Sequence, residues 1–308
     1  MIKKTVLIVL TIIMISCKGP EKDKTFNLND TMNYKSKISK TQYYLNYNLF
    51  MSYEIYINDV KITNNIESGP VSGLEYLNEY ILSSGKQTIR LIDRTYRENP
   101  NIPDDSFQRM KMEIFTTDEN EENQAMLKAL EFPKTSVPKP YYYENTWEFE
   151  AEVPYTLEGW SNGEDLTKMD EKELMKLTVA KFEQLRQLLN TGKVDEFIEE
   201  NAKGYEEFVI SNYYQKKWAE YDENIREGFA DQRGNLLPLE HYQMRISGNG
   251  KLVSLERIDK EFRGESALLA VDKEENTLYT NRVYLFMPKG SHTLKPIRLI
   301  VDYGIAKF

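Results

Sequence analysis

The spacing of apolar residues changes about halfway along this sequence of 308 residues. Up to about residue 155, apolar and polar side chains alternate, as in residues 43–49, and turn-forming pairs such as Asn58-Asp59 separate the runs. Successive side chains of a β-strand point to opposite faces, so this alternation predicts half-buried antiparallel strands. We therefore expect residues 41–157 to form an antiparallel β-sandwich. Within it, residues 121–130 are predicted to form one short helix.

The second half, residues 158–308, first follows the period of a helix. Asp170 and Glu173 have the spacing of a capping box, and Gly192 is the residue type that often follows the end of a helix. The buried stripe of this helix is predicted at Leu174, Thr178, Phe182, Leu185 and Leu189. A second helix is predicted over residues 194–209.

Further elements complete the second half. A third helix is predicted over residues 214–229, and strands follow Pro238, with an Asn-Gly hairpin turn at residues 247–250. The whole chain is thus predicted to be α+β: a β-sandwich, then a domain of helices followed by an antiparallel sheet. The order of elements in that domain resembles the cystatin-like or nuclear-transport-factor-like cone, in which a curled sheet wraps a helix. Folds of this kind serve as enzymes, ligand pockets and assembly modules alike, so the resemblance selects no function.

The first seventeen residues have the pattern of an export signal. Lys3 and Lys4 precede an apolar run over residues 6–15, which is too short to cross a bilayer as a helix. Ser16 then precedes Cys17, the one cysteine of the chain. This segment resembles a bacterial lipoprotein signal peptide of residues 1–16. The resemblance implies cleavage before Cys17 and acylation of that cysteine, for example by palmitate.

Two alternatives to this signal remain open, an uncleaved membrane anchor and an ordinary secretory signal with a chance cysteine. If Cys17 is lipidated, residues 17–40 are expected to be a flexible, polar tether that holds the body off the lipid surface. In lipoproteins of this kind, a Lys18 rather than an aspartate after the cysteine implies transport to the outer membrane. The sequence leaves open whether the protein faces the periplasm or the outside of the cell.

Composition excludes several classes of function. A net charge of −9 and a pI near 5.1 argue against nucleic acid as a partner, because phosphate backbones require a basic face. One cysteine and two histidines leave no basis for an intramolecular disulfide, a cysteine zinc site or a histidine metal cluster. No nucleotide-binding or metalloprotease motif is found, so neither a cofactor nor a metal is expected.

The two histidines are the candidates for a base that titrates near neutral pH. His241 begins a predicted strand, and His292 lies in a predicted turn. One hypothesis places His241, or a buried carboxylate, in a pocket of the second domain as a general base. The alternative is that both histidines are exposed to solvent and have no catalytic role, since the sequence identifies no partner for either.

Aromatic residues concentrate where the halves meet. Tyr141, Tyr142 and Tyr143 precede the last strand of the sandwich, and Trp160 follows it. Exposed rings of this kind bind sugars or anchor protein partners, so an interdomain groove lined by these four residues is the candidate binding site. The alternative for Trp160 is packing between the two halves.

Three functions are consistent with these features. The first is a non-enzymatic envelope lipoprotein, attached to the membrane through Cys17, that binds a protein partner or acts as a scaffold. The second is a lipoprotein that helps to bind glycans at the cell surface. The third is a hydrolase or isomerase with its pocket in the C-terminal domain.

Overall fold

The computed structural model describes five stretches of the chain. They are residues 38–66, 70–94, 106–133, 142–214 and 218–305, all within one compact unit of residues 33–308. Cys17 and Tyr141 lie outside the described residues, so lipidation and the placement of Tyr141 stay predictions. Among the described residues, no helix has the length and apolar character needed to cross a membrane.

Among the described residues of the first half, eight strands form two antiparallel sheets. The strands are β1 Gln42–Leu49, β2 Ser52–Ile57, β3 Val60–Asn65, β4 Val71–Tyr76, β5 Ser83–Arg94, β6 Lys111–Thr117, β7 Ala125–Ala129 and β8 Tyr142–Thr156. A 3₁₀ turn at Asn78–Tyr80 precedes β5, and the short helix α1, Ser106–Arg109, precedes β6. The sheet orders are β4-β1-β6-β7 and β3-β2-β5-β8.

The two sheets share one apolar core, as the alternating pattern predicts. The side chains of β1 that the alternating pattern places on one face are buried. Aromatic rings from the two sheets are in contact. The ring centres of Tyr43 and Phe149 are 6.1 Å apart, and those of Tyr47 and Tyr53 are 5.5 Å apart. The prediction of an N-terminal β-sandwich is confirmed.

The helix predicted over residues 121–130 is wrong. This segment contains β7, which pairs antiparallel with β6, and all five of its residues are exposed. Because β6 would otherwise be the edge of its sheet, its free backbone groups can bind a further strand. Pairing with a neighbour here outweighs local helix propensity.

The part of the second half that the structure describes contains four α-helices followed by five strands. They are α2 Glu171–Asn190, α3 Val194–Glu200, α4 Ala202–Ser211, α5 Trp218–Ala230, β9 Tyr242–Ser247, β10 Leu252–Arg257, β11 Leu269–Asp272, β12 Thr277–Phe286 and β13 Lys295–Ile305. The Asp170 side chain accepts a hydrogen bond from the Glu173 amide and caps α2. The five residues predicted as the stripe of α2 are its buried residues, and β9 and β10 form the predicted hairpin.

The single helix predicted over residues 194–209 is interrupted. It is divided into α3 and α4 at Asn201, whose side-chain amide donates a 2.6 Å hydrogen bond to the Phe197 carbonyl. A side chain that binds a carbonyl one turn back competes with the regular helical bond. Asn201 is buried, so this bend is fixed inside the protein.

The third sheet is buried on both faces along its centre. β12 pairs with β13 on one side and with β10 and β11 on the other, and β9 adds to β10. Val253 and Val283 belong to a core with the helices, whereas Leu252 and Tyr284 belong to the core of the sandwich. Alternate residues of β10 and β12 therefore pack into two different cores, one with the helices and one with the sandwich. The fold is α+β, as predicted.

Side chains of β12 cover the backbone edge of β3. The Ile62 carbonyl accepts a 2.8 Å hydrogen bond from Arg282 Nη1, and the Lys61 carbonyl accepts one from the Tyr284 hydroxyl. Lys61 Nζ is itself buried and lies 2.5 Å from Glu256 Oε1. An uncovered edge strand would invite pairing with another chain, so the third sheet protects the sandwich. The predicted division into domains at residues 157 and 158 stays a prediction, although the halves share these contacts.

Candidate functional site

The predicted aromatic groove is not assembled by the described residues. Tyr143 is buried at the start of β8, with its ring centre 4.8 Å from that of Phe107. Tyr142 is half-buried, and its hydroxyl donates a hydrogen bond to Glu144. Trp160 is buried beyond the far end of β8, after roughly 40 Å of extended strand. Tyr143 and Trp160 are thus buried, and the interpretation that Trp160 packs in the interior is confirmed. Binding of a partner at Tyr141, Tyr142, Tyr143 and Trp160 stays a prediction.

Both histidines are exposed, and neither lines either of the two cavities described below. His241 is exposed and has a left-handed backbone, with φ of +49°, immediately before β9. His292 is exposed in the loop before β13. Both histidines are exposed, as the second of the two interpretations expects. The hypothesis of a histidine acting as a general base stays a prediction.

A cavity of about 240 Å³ lies between the helices and β13. Most of its wall is apolar, with a smaller polar region. The lining residues are Glu79, Asn201, Gly204, Tyr205, Phe208, Ile225, Phe229, Ile297, Arg298, Leu299, Ile300 and Val301. Cavities that combine a largely apolar wall with a few polar groups are typical ligand sites.

Local backbone geometry forms one wall of this cavity. The pairing of β12 with β13 is irregular after Tyr284, where the register skips Ile297. A Cβ atom on Gly204 would lie only 2.9 Å from the Ile297 carbonyl oxygen. The glycine therefore lets α4 approach β13 at this irregular position. A larger residue at this helical position would separate the two elements and change the shape of the cavity.

Arg298 organises the polar region. Its Nη1 donates a 2.7 Å hydrogen bond to Glu207 Oε2, and its Nε donates one of the same length to the Glu79 carbonyl. The guanidinium carbon lies 5.2 Å from the centre of the Trp160 ring. Glu207 in turn accepts a 2.7 Å hydrogen bond from the Gly159 amide. Trp160 therefore packs against Arg298, which lines the cavity, but does not itself line the cavity.

Two buried polar atoms of cavity-lining residues have no hydrogen-bond partner among the described residues. They are Asn201 Oδ1, an acceptor, and Arg298 Nη2, a donor. Both side chains are at least 96% buried. A buried donor or acceptor without a partner costs about 1–3 kcal/mol, so these two atoms lower the stability of the region around the cavity.

The carboxyl group of Glu79, which lines the cavity, has a raised pKa. Burial raises the pKa of Glu79 from 4.5 to about 7, although a hydrogen bond from Asn212 and the charge of Arg298 both lower it. Burial also raises the pKa of the Tyr205 hydroxyl, which therefore stays neutral. The polar region thus holds the contact between Arg298 and Glu207 and one carboxyl group, that of Glu79, which changes charge near neutral pH. A titratable group with a shifted pKa in a cleft is a common feature of functional sites.

A second cavity, of about 520 Å³, lies beside the sandwich. Phe107 and Phe132 line it, and the ring of Phe132 contacts those of Tyr143 and Trp147. Tyr143 therefore lies close to this cavity. Residues 95–105 and 134–141, which adjoin its lining residues in sequence, are outside the described residues, so this cavity is not the candidate site.

Comparisons with known proteins assign neither a family nor a function to this chain. No family model, no curated protein and no solved structure matches this chain. Within the described stretches, no group of three or more His, Cys, Asp or Glu side chains could hold a metal ion. The site therefore has to be interpreted from its own geometry.

Sequence reasoning did not identify this cavity. Its polar residues come from a 3₁₀ turn, a break between two helices and an edge strand, and Glu79 and Arg298 are 219 positions apart. Two local signals were present: Arg298 interrupts an apolar strand, and Gly204 lies inside a helix. Each predicts an unusual local environment, but neither indicates which distant elements meet there.

Proposed function

We propose that this protein is a non-enzymatic, lipid-anchored binding protein of a bacterial cell envelope, and that the 240 Å³ cavity is its ligand site. The observation that carries the binding role is the cavity itself, whose largely apolar wall includes a smaller polar region with Glu79 and Arg298. Cavities with these two features are typical ligand sites, and this one suits a small molecule.

The anchor and the location in this proposal are based on the export pattern that ends at Cys17. Lys18 favours the outer membrane as the final location. Incorporation of a labelled fatty acid should mark the wild-type protein and not Cys17→Ser. Label that persists in the variant would exclude Cys17 as the acylation site.

A protein partner, or a glycan, stays a separate prediction. It was motivated by exposed rings, and the burial of Tyr143 and Trp160 removes that support. The acidic net charge still favours a basic protein over an acidic one through electrostatic steering.

Blocking the cavity tests the binding role. In Ile225→Trp, the larger side chain should fill the cavity from α5; Ile246→Trp is the matched control, since Ile246 is exposed on β9. Small molecules that co-purify with the wild type can be extracted and measured by mass spectrometry. We expect them to be lost from Ile225→Trp and kept by Ile246→Trp. Equal amounts in all three proteins would contradict the assignment of this cavity.

One observation favours catalysis as a second candidate function. Glu79 lines the cavity and has a pKa of about 7, which suits a general acid or base at neutral pH. In a hydrolase or isomerase of this kind, the wild type would convert the captured molecule, whereas Glu79→Gln would bind it without turnover. A binding protein would leave the molecule unchanged in both cases.

A further inference from the structure

The cavity runs along the edge of β13. Five consecutive residues of this strand, residues 297–301, line it. Arg298 pairs with Tyr284, which belongs to the core of the sandwich, and therefore faces the sandwich. Leu299 pairs with Val283, which belongs to the core with the helices, and therefore faces the helices. A cavity that touches residues from both faces of a strand must lie along the edge that the two faces share.

The pairing of β12 shows which main-chain groups of β13 point to the open side of this edge. The Asn281 amide of β12 donates a 3.0 Å hydrogen bond to the carbonyl of Leu268, the residue before β11, and so points away from β13. Asn281 is the partner of Val301, and the main-chain groups of an antiparallel pair point either toward each other or both outward. The N–H and C=O groups of Val301, and by alternation those of Leu299 and Tyr303, therefore point away from β12.

These outward groups form an edge with which a further strand can pair. In the part of the chain that the structure describes, no backbone hydrogen bond outside the helices and strands involves Leu299, Val301 or Tyr303. At one end of the edge, α4 leaves no room for another strand, because a Cβ atom on Gly204 would be 2.9 Å from the Ile297 carbonyl oxygen. At the other end, Val301 is 37% exposed and Tyr303 is 81% exposed. We call the cavity together with the open edge from Leu299 to Tyr303 the β13 slot.

The charges around the β13 slot disfavour an anionic ligand. Two arginines lie there, and each already contacts a carboxylate. The contacts are Arg298–Glu207 at 2.7 Å and Arg282–Glu265 at 3.6 Å. Glu79, which lines the cavity, and Asp302, which follows Val301, add two further acids. Two arginines and four acids leave two negative charges in excess when every acid is ionised, so a neutral or cationic ligand is favoured.

We infer that the β13 slot binds a short, extended peptide of neutral or positive charge, which adds to β13 as a further strand. This inference rests on the proposed function, because it names the ligand class of the same cavity. Main-chain hydrogen bonds with Leu299 and Val301 hold the peptide, which is a common mode of peptide recognition at a sheet edge. One peptide side chain enters the apolar part of the cavity, where Phe208 and Phe229 lie. The volume of about 240 Å³ exceeds the ~150 Å³ cavity that holds benzene in an engineered protein, so a side chain the size of leucine fits.

A pair of peptides tests the main-chain hydrogen bonds. The first is acetyl-Ala-Leu-Ala-amide, and the second carries a methyl group on each of its peptide nitrogens, so it keeps the side chains but cannot donate from the main chain. Both are titrated into the full-length protein at pH 8 and followed by NMR. We expect the unmodified peptide to bind at least about tenfold more tightly. Equal affinities would overturn the pairing of strands and leave the ligand site in place.

Hydrogen exchange in the same complex shows whether the peptide lies on this edge. The amides of Leu299 and Val301 point away from β12, so their exchange should slow at least about tenfold when the peptide is bound. The Ile300 amide points toward β12 and should exchange slowly with and without peptide, which makes it the internal control. Unchanged exchange at Leu299 and Val301 in the complex would overturn the inference. Failure of the peptide to bind would also overturn it, whereas the Ile225→Trp experiment decides the ligand site separately.

Two charged peptides test the preference for charge. They are acetyl-Ala-Leu-Ala-Lys-amide and acetyl-Ala-Leu-Ala-Glu-amide, compared at pH 8, where the carboxyl group of Glu79 is mostly ionised because its pKa is about 7. The lysine peptide should bind at least about threefold more tightly, because the acids of the slot outnumber its arginines. Equal or tighter binding of the glutamate peptide would contradict the charge argument.

A proline at Val301 tests the edge from the side of the protein. Proline lacks the N–H group and is tolerated in an edge strand where that group faces outward. Val301→Pro should weaken binding of acetyl-Ala-Leu-Ala-amide at least about tenfold, whereas the matched control Val301→Ala keeps the amide and should stay within about threefold of the wild type. Slow exchange of the Ile300 amide in both variants shows that β13 is still paired with β12. Binding of wild-type strength by Val301→Pro would overturn the inference.

Discussion

Two buried arginines connect the second half of the chain to the first, and their surroundings differ. Arg282 on β12 is 6% exposed and donates to the Ile62 carbonyl of β3. Arg298 on β13 is 4% exposed and donates to the Glu79 carbonyl and to Glu207. Arg282 covers a strand edge, whereas Arg298 lines a cavity.

The comparison shows that burial of a charge does not by itself mark a functional site. Each arginine has one nitrogen without a partner among the described residues, Nε in Arg282 and Nη2 in Arg298. Arg282 lines neither of the two cavities described above, whereas Arg298 has open space beside it. An unpartnered polar atom becomes a candidate for recognition only where a ligand has room.

The largest expected effect tests the structural role of Arg282. Arg282→Ala should lower the free energy of unfolding by about 3 kcal/mol, because the Ile62 carbonyl loses its donor inside the protein. Urea denaturation measures this change. Probe binding in the cavity should be unchanged while the variant is folded.

The matched control for that variant is Arg263→Ala, since Arg263 is exposed. Its stability should remain within about 0.5 kcal/mol of the wild type. The comparison between the two arginines would fail if Arg282→Ala lost probe binding while remaining folded, or if both variants had equal stability.

A prediction of intermediate size concerns how the free energy of unfolding depends on pH through Glu79, which lies beside Arg298. The pKa of Glu79 is raised to about 7 in the folded protein from 4.5, so the folded state binds the proton more tightly. The resulting stabilisation is complete below about pH 4.5 and is lost as the pH rises through 7. Relative to Glu79→Gln, the wild type should lose about 2 kcal/mol between pH 5 and pH 8, because part of this side chain still contacts solvent. Parallel pH profiles for the two proteins would contradict the shift.

The smallest effect sharpens the description of the β3 edge. Tyr284→Phe removes the hydrogen bond to the Lys61 carbonyl and should cost about 1 kcal/mol. Tyr303→Phe is the control, because Tyr303 is 81% exposed and should tolerate the same change. Thermal unfolding distinguishes the two variants. Equal melting temperatures would show that the edge of β3 does not depend on Tyr284.

Sequence patterns predicted the elements whose signals are local. The stripe and cap of α2 were correct because a period of 3.6 residues and an N-terminal aspartate determine them without distant contacts. β7 was mistaken for a helix because its partner β6 decides its conformation. The bend at Asn201 was missed because one side-chain amide interrupts an otherwise continuous helical pattern.

These sequence patterns could not predict the candidate site. Consecutive residues of a strand face opposite sides, but alternation alone does not identify which of Tyr142 and Tyr143 faces the core. Composition drew attention to the tyrosines, whereas the cavity depends on Glu79 and Arg298, which meet only after the third sheet packs on the sandwich. Pairing of strands distant in sequence has no local signature.

The hydrogen bond from Arg282 to the Ile62 carbonyl has a consequence for the time course of folding. It joins residues 220 positions apart, so β3 is synthesised long before the strand that covers it. At the usual rate of ~5–20 residues per second, a ribosome needs about 10–45 s to make the intervening chain. Until β12 is available, the edge of β3 lacks this cover, and a chaperone or a second chain could bind there. A delay in the arrival of β12 should therefore lower the yield of folded protein.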